Sequence, residues 1–321
     1  MKKLLAVAFT VIVLLATVIL SGCGGDKVTL KAVIPDYEGK YFSAMEDITV
    51  DMKDYLSFGE GVTFEASSTD DFLSVAVDGD KITVDPVGFG CGDVTIVAKN
   101  KNKDLYRLTF TVDLKECSVI TCAGDSLTYG SGTPEIAYTV FLQQYLGDSV
   151  TVVNCGLNGA NMTGYGGHGA NFKYSKLTSG VNNQYTRGVN ANPDVILIML
   201  GTNDATGWQN AKHTFETEYQ VLLSKYMQDC PDAEIILLIS PPTFESNSFN
   251  IPNKVIKESV NPIQRALAEK FGFATIDMRN AFEQHPGGYD SFFVSDGVHF
   301  SETGAKFVAR KVADALMGKV A

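Results

Sequence analysis

The sequence predicts a small all-β sandwich followed by an α/β domain built on a parallel, doubly wound sheet. Three observations carry this. Between about residues 27 and 115, apolar and polar residues alternate one by one, the period of half-buried strands. From Cys117 onward, short apolar runs alternate with stretches of helical period, and strands alternating with helices build a parallel sheet. The chain has 321 residues, enough for about two domains. The expected division is a leader over 1–22, a β-sandwich over 23–115 and an α/β domain over 116–321.

The leader, MKKLLAVAFTVIVLLATVILSGCGG, has two lysines, then an apolar run from Leu4 to Leu20, then LSGC. A basic start, an apolar middle and small residues before a break mark a secretory signal. The alternative is an anchor helix, since the run is nearly long enough to span a bilayer. LSGC decides for the signal. It resembles a bacterial lipobox, and that resemblance implies a lipid on Cys23, which becomes the mature N-terminus. More than one acyl chain gives such a lipoprotein stable anchoring. The expected location is extracytoplasmic, lipid-anchored to a bacterial cell membrane.

Composition narrows the function. The chain is 45% apolar and 20% charged, as globular proteins are. Its net charge of −11 argues against nucleic acid, whose phosphates need clustered Lys and Arg. Besides Cys23, the cysteines are Cys91, Cys117, Cys122, Cys155 and Cys230, an odd set without regular spacing. A disulfide framework is not expected in a domain of this size. Cys122 and Cys155 read as small buried residues at strand ends, with a bridge between them as the lesser alternative. No Cys/His cluster has zinc spacing, so no metal site is expected, nor any cofactor.

In the β region, LYRLTFTVDL sends Tyr106, Leu108, Phe110, Val112 and Leu114 to one face and Arg107, Thr109, Thr111 and Asp113 to the other. VTFEAS and DVTIVAK alternate likewise. VAVDGDKITV reads as a hairpin with Asp78-Gly79-Asp80 as its turn. The pattern resembles bacterial immunoglobulin-like sandwiches. It contains no catalytic constellation, which leaves a spacer or a carbohydrate-binding module.

The α/β region opens with the strand CSVITCAG, then a helix from Ile136 to Leu146. SVTVVNCG and DVILIML are the second and third strands, and a helix runs through FETEYQVLLSKYM. AEIILLIS is the fourth strand, and IQRALAEKFG is a helix started or kinked near Pro262. FATIDM is the fifth strand, and Val308, Val312 and Leu316 set the face of the last helix.

Ligands of such sheets bind beyond the carboxyl ends of the strands. That rule separates two Gly-Asp-Ser triplets. Ser126, in TCAGDSLTYG, follows a strand, whereas Ser149, in YLGDSVTVV, precedes one. Ser149 is therefore a turn residue, with Gly147 as a helix C-cap. Other signals gather at the carboxyl edge. Gly159 lies in NCGLNGAN after the second strand, and Asn203 in GTND after the third. Asp296 and His299 lie in SDGVHF before the last helix, three apart, a spacing that shares a face in a helical turn. Each signal alone is weak: Gly-Asp-Ser occurs in ordinary turns, Asn203 suits a helix cap, and Asp296–His299 suits a surface pair. Their joint placement is what chance does not explain. His168, His213 and His285 lack an Asp partner at this spacing and read as bystanders.

These four blocks resemble the GDSL, or SGNH, hydrolase family over roughly residues 118–317. The resemblance implies a flavodoxin-like three-layer α/β/α fold and ester hydrolysis. It implies Ser126 as nucleophile, His299 as base and Asp296 as its orienting partner. The Ser126 and Gly159 N–H groups and the Asn203 side chain would form the oxyanion hole. The chemistry suits these types: a Ser hydroxyl needs a base to take its proton, and His can take and return one. The G-x-S-x-G elbow of α/β-hydrolases is absent. PDVILIMLGTNDATGW and SPPT look more like the carbohydrate O-acetylesterase branch than the lipase branch. The expected substrate is thus an acylated carbohydrate, and Trp208 reads either as a stacking platform for a sugar ring or as packing under its own loop. A lipase or lysophospholipase is the alternative within the family. A non-catalytic surface carbohydrate-binding lipoprotein is the alternative outside it, and would have no need of the complete set.

Overall fold

The computed structural model describes residues 28–131, 136–167, 169, 170, 173, 174 and 183–318. The expected leader and Cys23 lie outside them. The first compact unit runs to Glu116 and the second from Cys117 to Ala315.

The first unit contains β1 (Thr29–Leu30), β2 (Tyr37–Lys40), β3 (Ile48–Asp51), the helical turn α1 (Met52–Tyr55) and β4 (Leu56–Ser57). It continues through β5 (Val62–Ser68), β6 (Leu73–Asp78), β7 (Lys81–Pro86), β8 (Gly90–Asn100) and β9 (Lys103–Lys115). One sheet has the order β2-β9-β8-β5 and another β3-β7-β6, while β1 pairs with β4. Tyr106, Leu108, Phe110, Val112 and Leu114 are all buried along β9, and Arg107 between them is exposed. Because successive strand residues point to opposite faces, this alternation gives the sheet one apolar face. That face meets Val50, Ile82 and Val84 of the other sheet in a single cluster. In the β6–β7 hairpin Asp78 pairs with Lys81, so only Gly79-Asp80 form the loop. Asp78 is thus the last strand residue, one place short of the expected turn.

The second unit contains β10 (Val119–Gly124), α2 (Ser126–Tyr129), α3 (Tyr138–Leu146), β11 (Thr151–Gly156), α4 (Gln184–Asn190), β12 (Val195–Met199) and α5 (Trp208–Ala211). There follow α6 (Phe215–Asp229), β13 (Glu234–Ile239), α7 (Asn253–Val255), α8 (Asn261–Phe271), β14 (Ala274–Asp277), α9 (Met278–Glu283) and α10 (Glu302–Leu316). All five strands are parallel, in the order β11-β10-β12-β13-β14. Counted along the chain this is the flavodoxin-like 2-1-3-4-5 order. Every residue of β12 is buried, as a central parallel strand must be when helices cover both faces. Ile196 and Ile198 join Tyr219, Leu222 and Tyr226 of α6 and Leu267 of α8 in one cluster. The intervening Leu197 and Met199 are buried on the opposite face. Val308, Val312 and Leu316 of α10 are buried, as their spacing requires.

Three features differ from expectation or add to it. The helix α4 arises from the polar segment QYTRGVN, where no apolar period announces it. The helix α8 carries Pro262 in its first turn but is preceded without a break by α7 and a π turn, Ile256–Val260. Pro262 has no N–H to give the preceding turn, which accounts for a local change of pitch rather than a start. Cys122 and Cys155 are buried and unbridged. Ala123 is the residue opposite Cys155 across the strands, so Cys122 points to the other face of the sheet. Burial pushes both thiols up, Cys122 to about 12 and Cys155 to about 11, and leaves them inert near neutrality. No described helix is long and apolar enough to cross a membrane.

Candidate active site

Strand order reverses between β10 and β12, and the crevice at their carboxyl ends is where such sheets bind ligands. Ser126 follows β10 and opens α2, Gly159 follows β11, and Asn203 follows β12. Ser149 sits in the exposed turn before β11, at the opposite edge. Gly147 ends α3 with φ 80° and its N–H on the Gln143 carbonyl, the cap its sequence implied.

Local chemistry presents Ser126 at the edge. Asp125 caps α2 by accepting from the Leu127 N–H at 2.9 Å. Asn154 at the end of β11 donates to the Thr128 carbonyl at 2.8 Å and to Thr139 Oγ1 at 3.0 Å, tying the strand to α2 and α3. Gly156 follows, and a Cβ there would lie 2.2 Å from the Tyr129 nitrogen. Only glycine lets β11 pass so close beneath α2.

Ser126 Oγ lies 2.9 Å from His299 Nε2. On the other side of the ring, His299 Nδ1 lies 2.7 Å from Asp296 Oδ2. Ser126 and His299 are each only 9% exposed, so little solvent competes for these bonds. The spacing of three does not come from a helical turn, as the sequence suggested. Gly297 has φ 74°, and α10 begins only at Glu302. Instead Asp296 Oδ1 accepts from the N–H groups of Val298 at 2.8 Å and His299 at 2.9 Å. This Asx-type turn brings Oδ2 to the imidazole. Burial raises the Asp296 carboxyl, but the bonds from the His299 N–H, the His299 ring and the Val298 N–H outweigh it, and its pKa falls below the usual range. Asp296 is therefore a carboxylate at neutral pH.

Gly159 and Asn203 face Ser126 across the same cleft. Asn203 does not cap a helix with its side chain. Its Nδ2 donates to the Ala160 carbonyl at 2.9 Å, which fixes the amide and leaves a second N–H on that nitrogen. Neighbouring Asp204 holds the 159–163 loop, accepting from Met162 N–H at 2.9 Å, Thr163 N–H at 2.9 Å and Thr163 Oγ1 at 2.7 Å. A Cβ at Gly166 would lie 2.0 Å from the Asn203 carbonyl oxygen, so this loop closes on Asn203 only through glycine.

The cleft encloses about 390 Å³. Its lining combines the polar residues Ser131, Asn158 and Thr206 with the apolar residues Phe249, Ile251 and Val298. Trp208 is not among its lining residues. The 3₁₀ turn Asn203–Gly207 runs directly into α5, and Trp208 packs edge to face on Phe215, ring centres 5.5 Å apart, against the core cluster. Among the described residues the phenylalanine at the cleft is Phe249, which sequence reasoning missed. Its segment, SNSFN, looks like a polar loop, and only Asn247 hints at a fixed turn. His213 is exposed, His285 packs on Phe292 and Phe307, and His168 lies outside the described residues. Among the described residues no group of three His, Cys, Asp or Glu side chains is placed to hold a metal.

The profile of the GDSL-like Lipase/Acylhydrolase family matches residues 122–307, and the chain belongs to that family. It is 30% identical over 219 residues to an acetylxylan esterase of Xylanibacter ruminicola, a match covering 61% of this chain and 42% of that one. The chain thus spans less than half the length of this curated relative. The crystal structure of the lipase/acylhydrolase from Enterococcus faecalis superposes with a TM-score of 0.51 at 21% identity. That superposition covers 64% of this chain and 97% of the other, a likeness of fold.

Two carboxyls beneath the site are fully buried. Burial pushes Asp125 up to about 7, with the charge of Asp204 adding to the rise, and pushes Asp204 up to about 6. In the unfolded chain both ionise near pH 4. Between these limits the folded state holds protons the unfolded state has lost, so stability falls as pH rises from about 4 to 7. Thermal melting should therefore occur at lower temperature at pH 8 than at pH 5, and Asp125→Asn should flatten that dependence. A melting temperature that stays level or rises from pH 5 to 8 would contradict this.

Proposed function

We propose that the chain is a serine ester hydrolase that removes acetyl and other short acyl groups from carbohydrate. The observation that carries this is a continuous line of hydrogen bonds, Asp296 to His299 to Ser126, ending in a cleft beside Gly159 and Asn203. Membership of the acylhydrolase family and likeness to an acetylxylan esterase support the ester and the acetyl group. The polar lining residues Ser131, Asn158 and Thr206 suit sugar hydroxyls.

In this mechanism His299 Nε2 takes the Ser126 proton as Oγ bonds to the ester carbonyl carbon. The imidazolium that forms is stabilised by the Asp296 carboxylate on Nδ1. Negative charge on the carbonyl oxygen is met by the N–H groups of Ser126 and Gly159 and by the free amide hydrogen of Asn203, each such donor contributing about 10²–10³ in rate. When the tetrahedral intermediate collapses, the C–O bond to the alcohol breaks, and His299 gives its proton to the leaving oxygen. Water, deprotonated by His299, then bonds to the acyl carbon; the C–Oγ bond breaks, His299 returns the proton to Ser126 Oγ, and the acid is released. The roles need no metal or cofactor.

The LSGC leader supports a place for this chemistry. A lipid on Cys23 would hold the chain on the outer side of a bacterial membrane. Cys23→Ser should yield a secreted or an unprocessed form that takes up no radiolabelled palmitate, and a wild-type chain that takes up no label would refute the anchor.

Acetate release from acetylated xylo-oligosaccharides, with p-nitrophenyl esters from acetate to octanoate, tests the activity. Rates should fall steeply with chain length. Ser126→Ala and His299→Ala should each lower kcat by up to about 10⁶, because the two act as a unit, and Asp296→Asn by about 10⁴. Ser149→Ala should retain activity. A preference for octanoate would indicate a lipase, and turnover by Ser126→Ala would refute the nucleophile.

A further inference from the structure

Building on the ester-hydrolase reading, we propose that Phe249 binds the alcohol side of the ester. It would be the face on which the acetylated sugar ring rests, with Asn247 as the positioning residue that holds it there. The reasoning starts from His299. In the proposed reaction Nε2 returns its proton to the leaving oxygen, so that oxygen comes within hydrogen-bond reach of Nε2. Whatever group carries the oxygen must then lie against the neighbours of the imidazole on the open side of the cleft. The Phe249 ring is such a neighbour, its centre 5.2 Å from that of the imidazole with the planes at 85°. The carbonyl oxygen is drawn the other way, toward Gly159 and Asn203. The acyl chain, bonded to the same carbon, takes the remaining direction, away from both Nε2 and the oxyanion donors, so Phe249, beside the imidazole, stands on the alcohol side.

A single exposed phenylalanine is by itself unremarkable on a protein surface. Phe249, however, is 49% exposed at the tip of a loop that is tied down at many points. Asn247 Oδ1 accepts from the N–H groups of Phe249 at 3.2 Å and Ile251 at 3.0 Å. Its Nδ2 donates to the carbonyls of Phe244 at 2.9 Å and Ile251 at 2.8 Å. The Ser248 N–H donates to the Asp296 carbonyl at 2.9 Å, and the Phe244 N–H to the Gly297 carbonyl at 2.8 Å. The loop is thus fastened to the same turn that holds His299. Ordering a loop costs conformational entropy, and this one is ordered while leaving its largest apolar side chain half in water. An open aromatic face fixed beside a catalytic base suits the C–H face of a sugar ring, which is apolar and flat enough to stack. Trp208, packed on Phe215, offers no such face to the cleft.

The test varies one side of the ester at a time. With the acyl group held as acetate, the alcohol is methyl, cyclohexylmethyl or a xylo-oligosaccharide. With the alcohol held as p-nitrophenol, the acyl group is acetate, propionate or butyrate. Phe249→Ala should lower the kcat/KM ratio of acetylated oligosaccharide to methyl acetate by about tenfold or more, through KM. It should leave the order and spacing of the acyl series in place. Phe249→Trp should restore the ratio, and Asn247→Ala should lower it in the same direction, with melting curves confirming that each variant is folded. An unmoved alcohol ratio, or a shift in the acyl series instead, would overturn the assignment. Should the wild-type protein release no acetate from any oligosaccharide, the carbohydrate reading fails. The cyclohexylmethyl-to-methyl ratio then still decides for Phe249: a drop in Phe249→Ala keeps it on the alcohol side, and no drop removes it.

Discussion

The imidazole of His299 is held at both ends, and the rest of the α/β unit can be understood from what that requires. Ser126 and His299 are 173 residues apart in sequence, yet Oγ and Nε2 approach to 2.9 Å. Neither side chain reaches the other without the sheet. The turn after β10 delivers Ser126, and the turn before α10 delivers Asp296 and His299. The turns after β11 and β12 bring Gly159 and Asn203 to the same edge. A crevice at the point where strand order reverses is the one place where loops from all these elements converge.

Holding side chains to such tolerances requires more than an apolar sheet beneath them. The edge is built on buried and half-buried polar residues, each with backbone partners. Asn154 ties β11 to α2 and α3, Asp204 pins the 159–163 loop, and Asn203 is itself pinned to the Ala160 carbonyl. Asn161 donates to the Gly166 carbonyl at 2.8 Å from a fully buried position. Satisfied buried networks of this kind specify one arrangement, and breaking one member leaves the others unpaired at a cost of roughly 1–3 kcal/mol per group. Asp125 and Asp204 show the cost of placing carboxyls there, in acidities shifted toward neutrality by burial.

Much of this was legible in the sequence, for reasons that are local. The faces of β9 follow from alternation alone, and β12 from a run of apolar residues too short for a helix. Given strands and helices in order, the carboxyl-edge rule separated Ser126 from Ser149 and gathered Gly159, Asn203, Asp296 and His299. What escaped depends on partners distant in the chain. The parallel pairing of β2 with β9 leaves no local mark, and α4 is polar enough to pass for a loop. A spacing of three fits a helical turn and an Asx turn equally, and only Gly297 with its positive φ separates them. Trp208 and Phe249 are both single aromatics in polar stretches of sequence. Packing sends the first onto Phe215 and leaves the second at the cleft.

The central claim is that Ser126 is activated by His299. It is tested most directly by an active-site fluorophosphonate probe, with the labelled residue identified by mass spectrometry of peptides. Attack on phosphorus forms an Oγ–P bond and expels fluoride, and it demands the same activated hydroxyl as attack on an ester. The expected result is one probe per chain, on Ser126, with labelling lost in His299→Ala. Probe on Ser149 or any other residue, or an unlabelled chain that goes on hydrolysing ester, would contradict it.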